Sequence, residues 1–465
     1  MDTFTPEPRP AWIAGRPERG EARLVVSHPF DGSEVADFAV PDAAQVERAV
    51  AAAVCVAPEL RRSPAHFRVT VLERVSRGLA ARAEELAEVI TAECGKPVRY
   101  AEAEVRRAIA VFRIAAEEAR EFGVGTRRLE TEQTGEGRLA VIRRVPRGPV
   151  LGITPAASPL AQVARQVAPA VAVGAPVIVK PALRTPLSAL VLGELLAETG
   201  LPDGAFSVLP LSGTAETAAL VADPRLPVVS FSGSRSVGWS VVDAVPRKHV
   251  VLELGGNTAA VVLSDWPDLS GAAARIAASA TGEAGQSRAA VRRAIVERTV
   301  ADEFVPALVD AVQAQRTGDP YDPAVDVGPV VDEDAARRLV AWIEKATAAG
   351  AKVLTGGSWK GTTVEPTVLT DVPPEVLAEV VSGPVLAVSV ADDPDAALTA
   401  IGDSGTDAGI FTRDVRLSSR APAELVIGSV TIGDVPSDAS GREGIPAAIR
   451  DLTEEHVTVL TGLPL

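Results

Sequence analysis

The sequence predicts an α/β protein with two successive regions of alternating strands and helices, and three observations carry that prediction. From Gly148 onward, short β-branched runs (GPVLGITP, PVIVKPA, AFSVLP, VVSFSGS) alternate with helical patterns, as a parallel sheet covered on both faces requires. After Gly256 the alternation starts again with AAVVLSDWPD and a helical SGAAARIAASATG. Ahead of both regions, two long stretches place apolar residues at helical spacing. A length of 465 residues accommodates more than one such domain.

Taken in order, the chain begins with short strands, ARLVVSHPF and EVADFAV, around a turn at Asp31-Gly32-Ser33. A helix over DAAQVERAVAAAV follows, with Asp42 as its N-cap. HFRVTVLERVSRGLAARAEELAEVITAECG and YAEAEVRRAIAVFRIAAEEAREF are amphipathic helices, the first closed by Gly95 and the turn by Pro97. TRRLETEQTGEGRLAVIRRVP reads as β structure turning at Gly135-Glu136-Gly137. The two alternating regions come next, without a GxGxxG fingerprint, so the ordinary dinucleotide signal is missing.

A net charge of −15 leaves no basic footprint for nucleic acid or an anionic membrane. Local arginines can still hold a small anion. Cys55 and Cys94 define neither a disulfide framework nor a metal site, and both are expected to be small buried residues. No apolar run approaches a membrane span, and the opening MDTFTPEPRPAW does not read as a signal peptide, so a cytoplasmic location is expected.

The segment GQSRAAVRRAIV, residues 285–296, resembles the nucleophile segment of aldehyde dehydrogenases, GQxCxAxxRxxV, with Arg288 where that family has cysteine. GLPDGAFSVL, SFSGSRSVG and VLELGG resemble further segments of the same family, and the likeness runs from about residue 12 to residue 456. It implies an aldehyde dehydrogenase-like α/β fold: a Rossmann-type cofactor domain (residues 1–124 and 148–253), a second, catalytic-type α/β domain (254–436), and a small β oligomerisation element (125–147 and 437–465). It also implies a homo-oligomer, dimer or tetramer.

The resemblance assigns roles position by position. The family's cysteine attacks the aldehyde before hydride leaves, and a guanidinium cannot replace it. Ala157 stands at the position of the oxyanion-donating asparagine, and Ala156 and Ser158 at neighbouring aromatic positions. Val380 stands where a glutamate would bind the nicotinamide ribose, with Glu379 expected on the opposite face; Ser287 is expected to point away from the site. The loops at 401–412 and 436–444 look shortened, and Gly433 replaces an asparagine. Glu253 keeps the general-base position, Lys180 the adenosine-ribose position, and Gly233, Ser234 and Val237 the turn and helix start near the diphosphate. If Arg288 turns inward, Glu253 is its expected partner.

On these grounds the leading expectation is a protein that has lost thiol-dependent aldehyde oxidation: a pseudoenzyme, scaffold or partner subunit that can bind an anionic metabolite. A repurposed enzyme using Glu253 and Arg288 for non-redox catalysis is the alternative, and an NAD(P)-dependent aldehyde dehydrogenase relying on Ser287 stands third. No tightly bound cofactor is expected, only weak NAD(P) binding through its adenosine half. No metal, nucleic acid or membrane partner is expected.

Overall fold

The computed structural model describes residues 8–402, 407–437 and 441–462. Apolar β-branched runs set its strands. Five of them, His249–Leu254, Val228–Gly233, Val150–Ile153, Val177–Lys180 and Phe206–Val208, lie side by side in that order and run parallel. The short antiparallel pair Ala11–Ile13 and Arg16–Glu18 completes this first sheet. Its central strands, Val150–Ile153, Val177–Lys180 and Phe206–Val208, are buried almost throughout, which is why they read as apolar runs rather than alternating ones, whereas His249–Leu254 at the edge is only half-buried. The helices Ala65–Ala81, Val98–Glu121 and Pro159–Val173 bring Leu72, Leu79, Phe112 and Leu160 together in the main core.

The second region builds another seven-stranded sheet, in the order Lys352–Thr355, Thr367–Thr370, Val385–Ala391, Arg293–Glu297, Ala259–Val262, Asp407–Phe411 and Ser429–Ile432. Only its edge strand Lys352–Thr355 is antiparallel to its neighbour. Val124–Arg128, Arg138–Pro146 and Thr453–Thr461 form a separate three-stranded antiparallel sheet, so the expected hairpin gains a third strand from the far end of the chain. No helix among the described residues is long and apolar enough to cross a membrane.

Local signals hold at several ends. Asp42 caps Ala43–Arg62, accepting from the Gln45 N–H at 2.8 Å in a capping box. Gly95 closes Ala83–Cys94 at φ 69°, and a Cβ there would sit 2.5 Å from Pro329 Cγ. Two expectations need correction. The first long amphipathic stretch is two helices, Ala65–Ala81 and Ala83–Cys94, broken where Arg82 leaves helical geometry at φ −110°, ψ 25°. Cys94 is buried, but Cys55 is exposed, because it lies off the stripe of Ala49, Ala53, Val56 and Leu60 that its helix buries. The apparent shortening at 401–412 and 436–444 falls partly at residues 403–406 and 438–440, outside the described residues.

Candidate functional site

In the first sheet the chain order reverses between Val150–Ile153 and Val228–Gly233, which pair in parallel from Val150↔Val228 to Ile153↔Phe231. The carboxyl ends of strands at such a reversal diverge and leave a crevice. A cavity of about 1040 Å³ lies there, bounded on this side by Pro155, Ala156 and Ala157 after one strand and Gly233, Ser234 and Arg235 after the other. The second sheet closes it with segments that precede its strands: Ser287, Arg288 and Arg292 ahead of Arg293–Glu297, and Val380, Val381 and Ser382 ahead of Val385–Ala391. Helix Glu333–Ala348 adds Arg338 and Lys345.

The electrostatics of this cavity oppose those of the whole chain. Arg235, Arg288, Arg292, Arg338 and Lys345 line it against Glu253 and Glu379, although the net charge of the protein is −15. Lys345 is paired with Glu379. Arg235 and Arg338 form no ion pair among the described residues. Arg292 is 8% exposed and donates only to carbonyls, of Val381 at 2.6 Å, Ala290 at 2.8 Å and Ser287 at 3.3 Å. Burial pulls its guanidinium down to about 10, which still leaves a cation at neutral pH. A cavity with this balance favours an anionic ligand.

Glu253 reaches the cavity from the carboxyl end of His249–Leu254, and Arg165 donates to its carboxylate at 3.0 Å. Arg288 also reaches it, but its described partner is Asp407 at 3.3 Å, which also accepts from Ser429 Oγ at 2.7 Å. The expected Arg288–Glu253 pair is absent. Each group found a counter-ion within its own layer, Arg165 on the first-sheet side and Asp407 at the start of a second-sheet strand.

Ser287 lines the cavity, contrary to expectation, on a segment that follows the left-handed Glu283 and Ala284, at φ 53° and 51°. Glu379 and Val380 both line it, since the chain turns after the short helix Pro374–Leu377. Ala157 lines it without a side-chain donor, as expected from its residue type. Ser158 also lines it, although it is buried and its hydroxyl is engaged, donating to Glu283 at 3.1 Å and accepting from Lys96 at 3.2 Å. Val237 is 51% exposed on Arg235–Ala244 and stands outside the cavity lining.

The residues at the first-sheet end fit a nucleotide. Ser234 begins helix Arg235–Ala244 without a side-chain cap bond, so the first-turn N–H groups beside Arg235 suit a phosphate. Lys180, at the end of Val177–Lys180, forms no ion pair among the described residues, and burial lowers its pKa. A half-buried cation in that state suits hydroxyl or phosphate acceptors. At Gly255 a Cβ would meet nothing nearer than the Gly233 carbonyl at 4.0 Å, leaving the floor between the two strand ends open.

Behind the cavity lies a cluster that sequence reading missed. Lys96 pairs with Glu104 and, at 2.7 Å, with Glu283; Arg107 also reaches Glu283, at 3.1 Å. Glu104 accepts from the N–H groups of Leu160 and Ala161 at 2.9 and 3.0 Å, anchoring the start of Pro159–Val173. The only signals were the lysine of TAECGKP and the glutamate just upstream of GQSR, and nothing local joins them.

The profile of the aldehyde dehydrogenase family matches residues 16–444. A 3-sulfolactaldehyde dehydrogenase of Priestia megaterium is 32% identical over 466 residues, covering 97% of each chain. Among solved structures, aldehyde dehydrogenase 21 of Physcomitrella patens, in complex with the reaction product succinate, is 34% identical, with a TM-score of 0.95 over 98% of this chain and 99% of that one. The NADP-dependent glyceraldehyde-3-phosphate dehydrogenase of Bacillus halodurans, complexed with NADP, is 29% identical, with a TM-score of 0.92 over the same shares.

These likenesses correct two expectations. The reading as a pseudoenzyme or non-redox enzyme is overturned, because proteins matching almost end to end are named dehydrogenases and one holds its reaction product. The expectation of no tightly bound cofactor is overturned by a neighbour of the same fold complexed with NADP. Both expectations rested on the cysteine, the oxyanion-donating asparagine and the ribose-binding glutamate being replaced together, at Arg288, Ala157 and Val380.

Proposed function

Because the chain belongs to the aldehyde dehydrogenase family, we propose that it oxidises a small aldehyde bearing an anionic group, with NAD(P) as hydride acceptor. The observation that carries this is the cation-lined cavity of about 1040 Å³, which joins the nucleotide-fitting strand ends to Glu253 and Arg288. When bound, NAD(P) supplies the two-electron acceptor. Ser234, Arg235 and Lys180 would hold its phosphates and a ribose. Glu253, which accepts a hydrogen bond from Arg165 at Oε1, would take a proton from the reacting group. Arg338, which forms no ion pair among the described residues, suits the anionic end of a substrate, in keeping with similarity to a 3-sulfolactaldehyde dehydrogenase and to an aldehyde dehydrogenase holding its product succinate.

Val124, Val457 and Val459 are 70%, 58% and 47% exposed on the three-stranded sheet, an apolar surface suited to a homo-oligomer contact. Free thiols at Cys55 and Cys94 suit the cytoplasm. Calorimetric titration with NAD, NADP and AMP, followed by absorbance assays with succinate semialdehyde and 3-sulfolactaldehyde, tests the reading. Dinucleotide binding tighter than AMP and aldehyde-dependent reduction are expected, with Glu253→Gln lowering kcat by about 100-fold or more. Binding no tighter than AMP, together with no reduction, would sink the reading.

A further inference from the structure

We infer that this enzyme oxidises the aldehyde as its hydrate, without a covalent thiol intermediate, and that Arg288 stabilises the anion that forms. The inference rests on the dehydrogenase reading above and concerns how that site works.

The cysteine inventory is the first ground. The chain has two cysteines. Cys55 is exposed on Ala43–Arg62, and the cavity lining does not include it. Cys94 is 7% exposed, donates to the Ile90 carbonyl at 3.0 Å, and lies behind the large cavity rather than in it. Burial pushes its thiol well above the usual range, so the nucleophilic thiolate is suppressed. Ser287 does line the cavity, but none of the four histidines does, so no imidazole is placed there to activate its hydroxyl.

The second ground is what the cavity offers instead. Arg288 and Arg292 stand on one wall and Glu253 reaches in from the other sheet. Asp407 fixes the Arg288 guanidinium at that wall. Ala156 and Ala157 line the same cavity with small side chains. Cations facing a carboxylate base suit a gem-diol, whose negative charge grows as it is deprotonated.

The step balances without an enzyme nucleophile. Water adds to the aldehyde carbonyl in solution or in the cavity, giving R–CH(OH)₂. Glu253 would take the proton of one hydroxyl while the oxygen electron pair forms the C=O bond, and the C–H pair would leave as hydride, for which NAD(P)⁺, when bound, supplies the acceptor. The acid then loses its remaining proton to solvent, so each turnover yields one carboxylate, one NAD(P)H and two protons. The bound aldehyde carbon never bonds to the protein.

Mass spectrometry of the wild-type protein, quenched while turning over succinate semialdehyde with NAD(P), tests this together with a Cys55→Ser/Cys94→Ser variant. No acyl adduct is expected on any residue, and the variant should keep kcat within about 3-fold. Arg288→Gln should lose about 100-fold in kcat, with part restored by Arg288→Lys. It should also bind succinate about 10-fold more weakly in calorimetry, a readout independent of turnover. An adduct on Cys94, Cys55 or Ser287 would overturn the inference while leaving the dehydrogenase reading intact. So would loss of turnover in a cysteine-free variant that still melts like the wild type. Absence of both reduction and dinucleotide binding in the wild-type protein would remove the reading and the inference together.

Discussion

Replacing Lys96 with methionine should unsettle the wall that carries Arg288, and the size of the effect follows from the cluster around it. The Lys96 ammonium is 4% exposed and sits between Glu104, fully buried, and Glu283, 10% exposed. Its pKa is raised: burial works to lower it, but the two carboxylates outweigh burial. Burial likewise works to raise Glu283, yet Lys96 and then Arg107 hold its carboxyl down at about 2, against an ordinary value of 4.5. At about 1.4 kcal/mol per tenfold change in proton affinity, that depression corresponds to about 3 kcal/mol. Breaking a buried pair from one side typically costs about 3–5 kcal/mol. The lower figure is the better guide, because Glu104 keeps its two backbone donors and Glu283 keeps Arg107.

Lys96→Met should therefore lower the first calorimetric transition by about 5–10 °C at neutral pH. The pH dependence has a definite sign. Glu283 is depressed in the folded state, so its contribution is present above about 4.5 and fades as pH falls towards about 2. Much of that contribution is already missing in the variant, so the gap between variant and wild type should narrow as pH is lowered through 4.5. A gap below about 1 kcal/mol at pH 7, or one that widens on acidification, would refute the assignment of Lys96 as the principal counter-charge.

Two further outcomes are expected. Lys180→Met should weaken NAD(P) binding about 10-fold or more by calorimetry; because burial lowers the pKa of Lys180, wild-type affinity should begin to fall at a lower alkaline pH than an ordinary lysine would allow, and the variant should lose that dependence. Gly285 combines φ 65° with a site where a Cβ would lie 1.9 Å from the Gly383 carbonyl oxygen, so Gly285→Ala should destabilise by about 3 kcal/mol or more. Gly137, at φ 69° with nothing within 4 Å, is the control: its alanine variant should cost only about 1 kcal/mol. Thermal melts of both variants check the pair.

Much of the fold was legible because its signals are local. Both parallel sheets follow from β-branched runs separated by helical spacing, and the Asp42 and Gly95 caps follow from residue type and position. Cys55 was misread as buried, although the periodicity that buries Ala49, Ala53, Val56 and Leu60 leaves it off their stripe. The break at Arg82 was not legible, since the apolar stripe continues across it. The site was legible as a set of positions, not as a set of contacts. Arg288 and Glu253 both face the cavity, yet each is held by a partner from its own layer, which only the packing of the layers decides. Lys96 and Glu283 come from regions far apart in the chain, and neither residue alone distinguishes a buried ion pair from a solvated charge. Glu379 was misplaced by taking its segment as extended, and Ser287 by its place one residue before position 288.

The backbone of residues 283–292 is secured from behind. Lys96 and Arg107 grip Glu283, Gly285 presses against Gly383, and the buried Arg292 ties the carbonyls of Ser287, Ala290 and Val381 together. None of these fastenings uses the side chain at position 288. The loop therefore works like a socket whose shape is kept by its mounting, so the group it displays can be exchanged without rebuilding the frame. A lineage could pass through different residues at that single position, each trying a different chemistry, while selection for a folded protein scarcely registered the change.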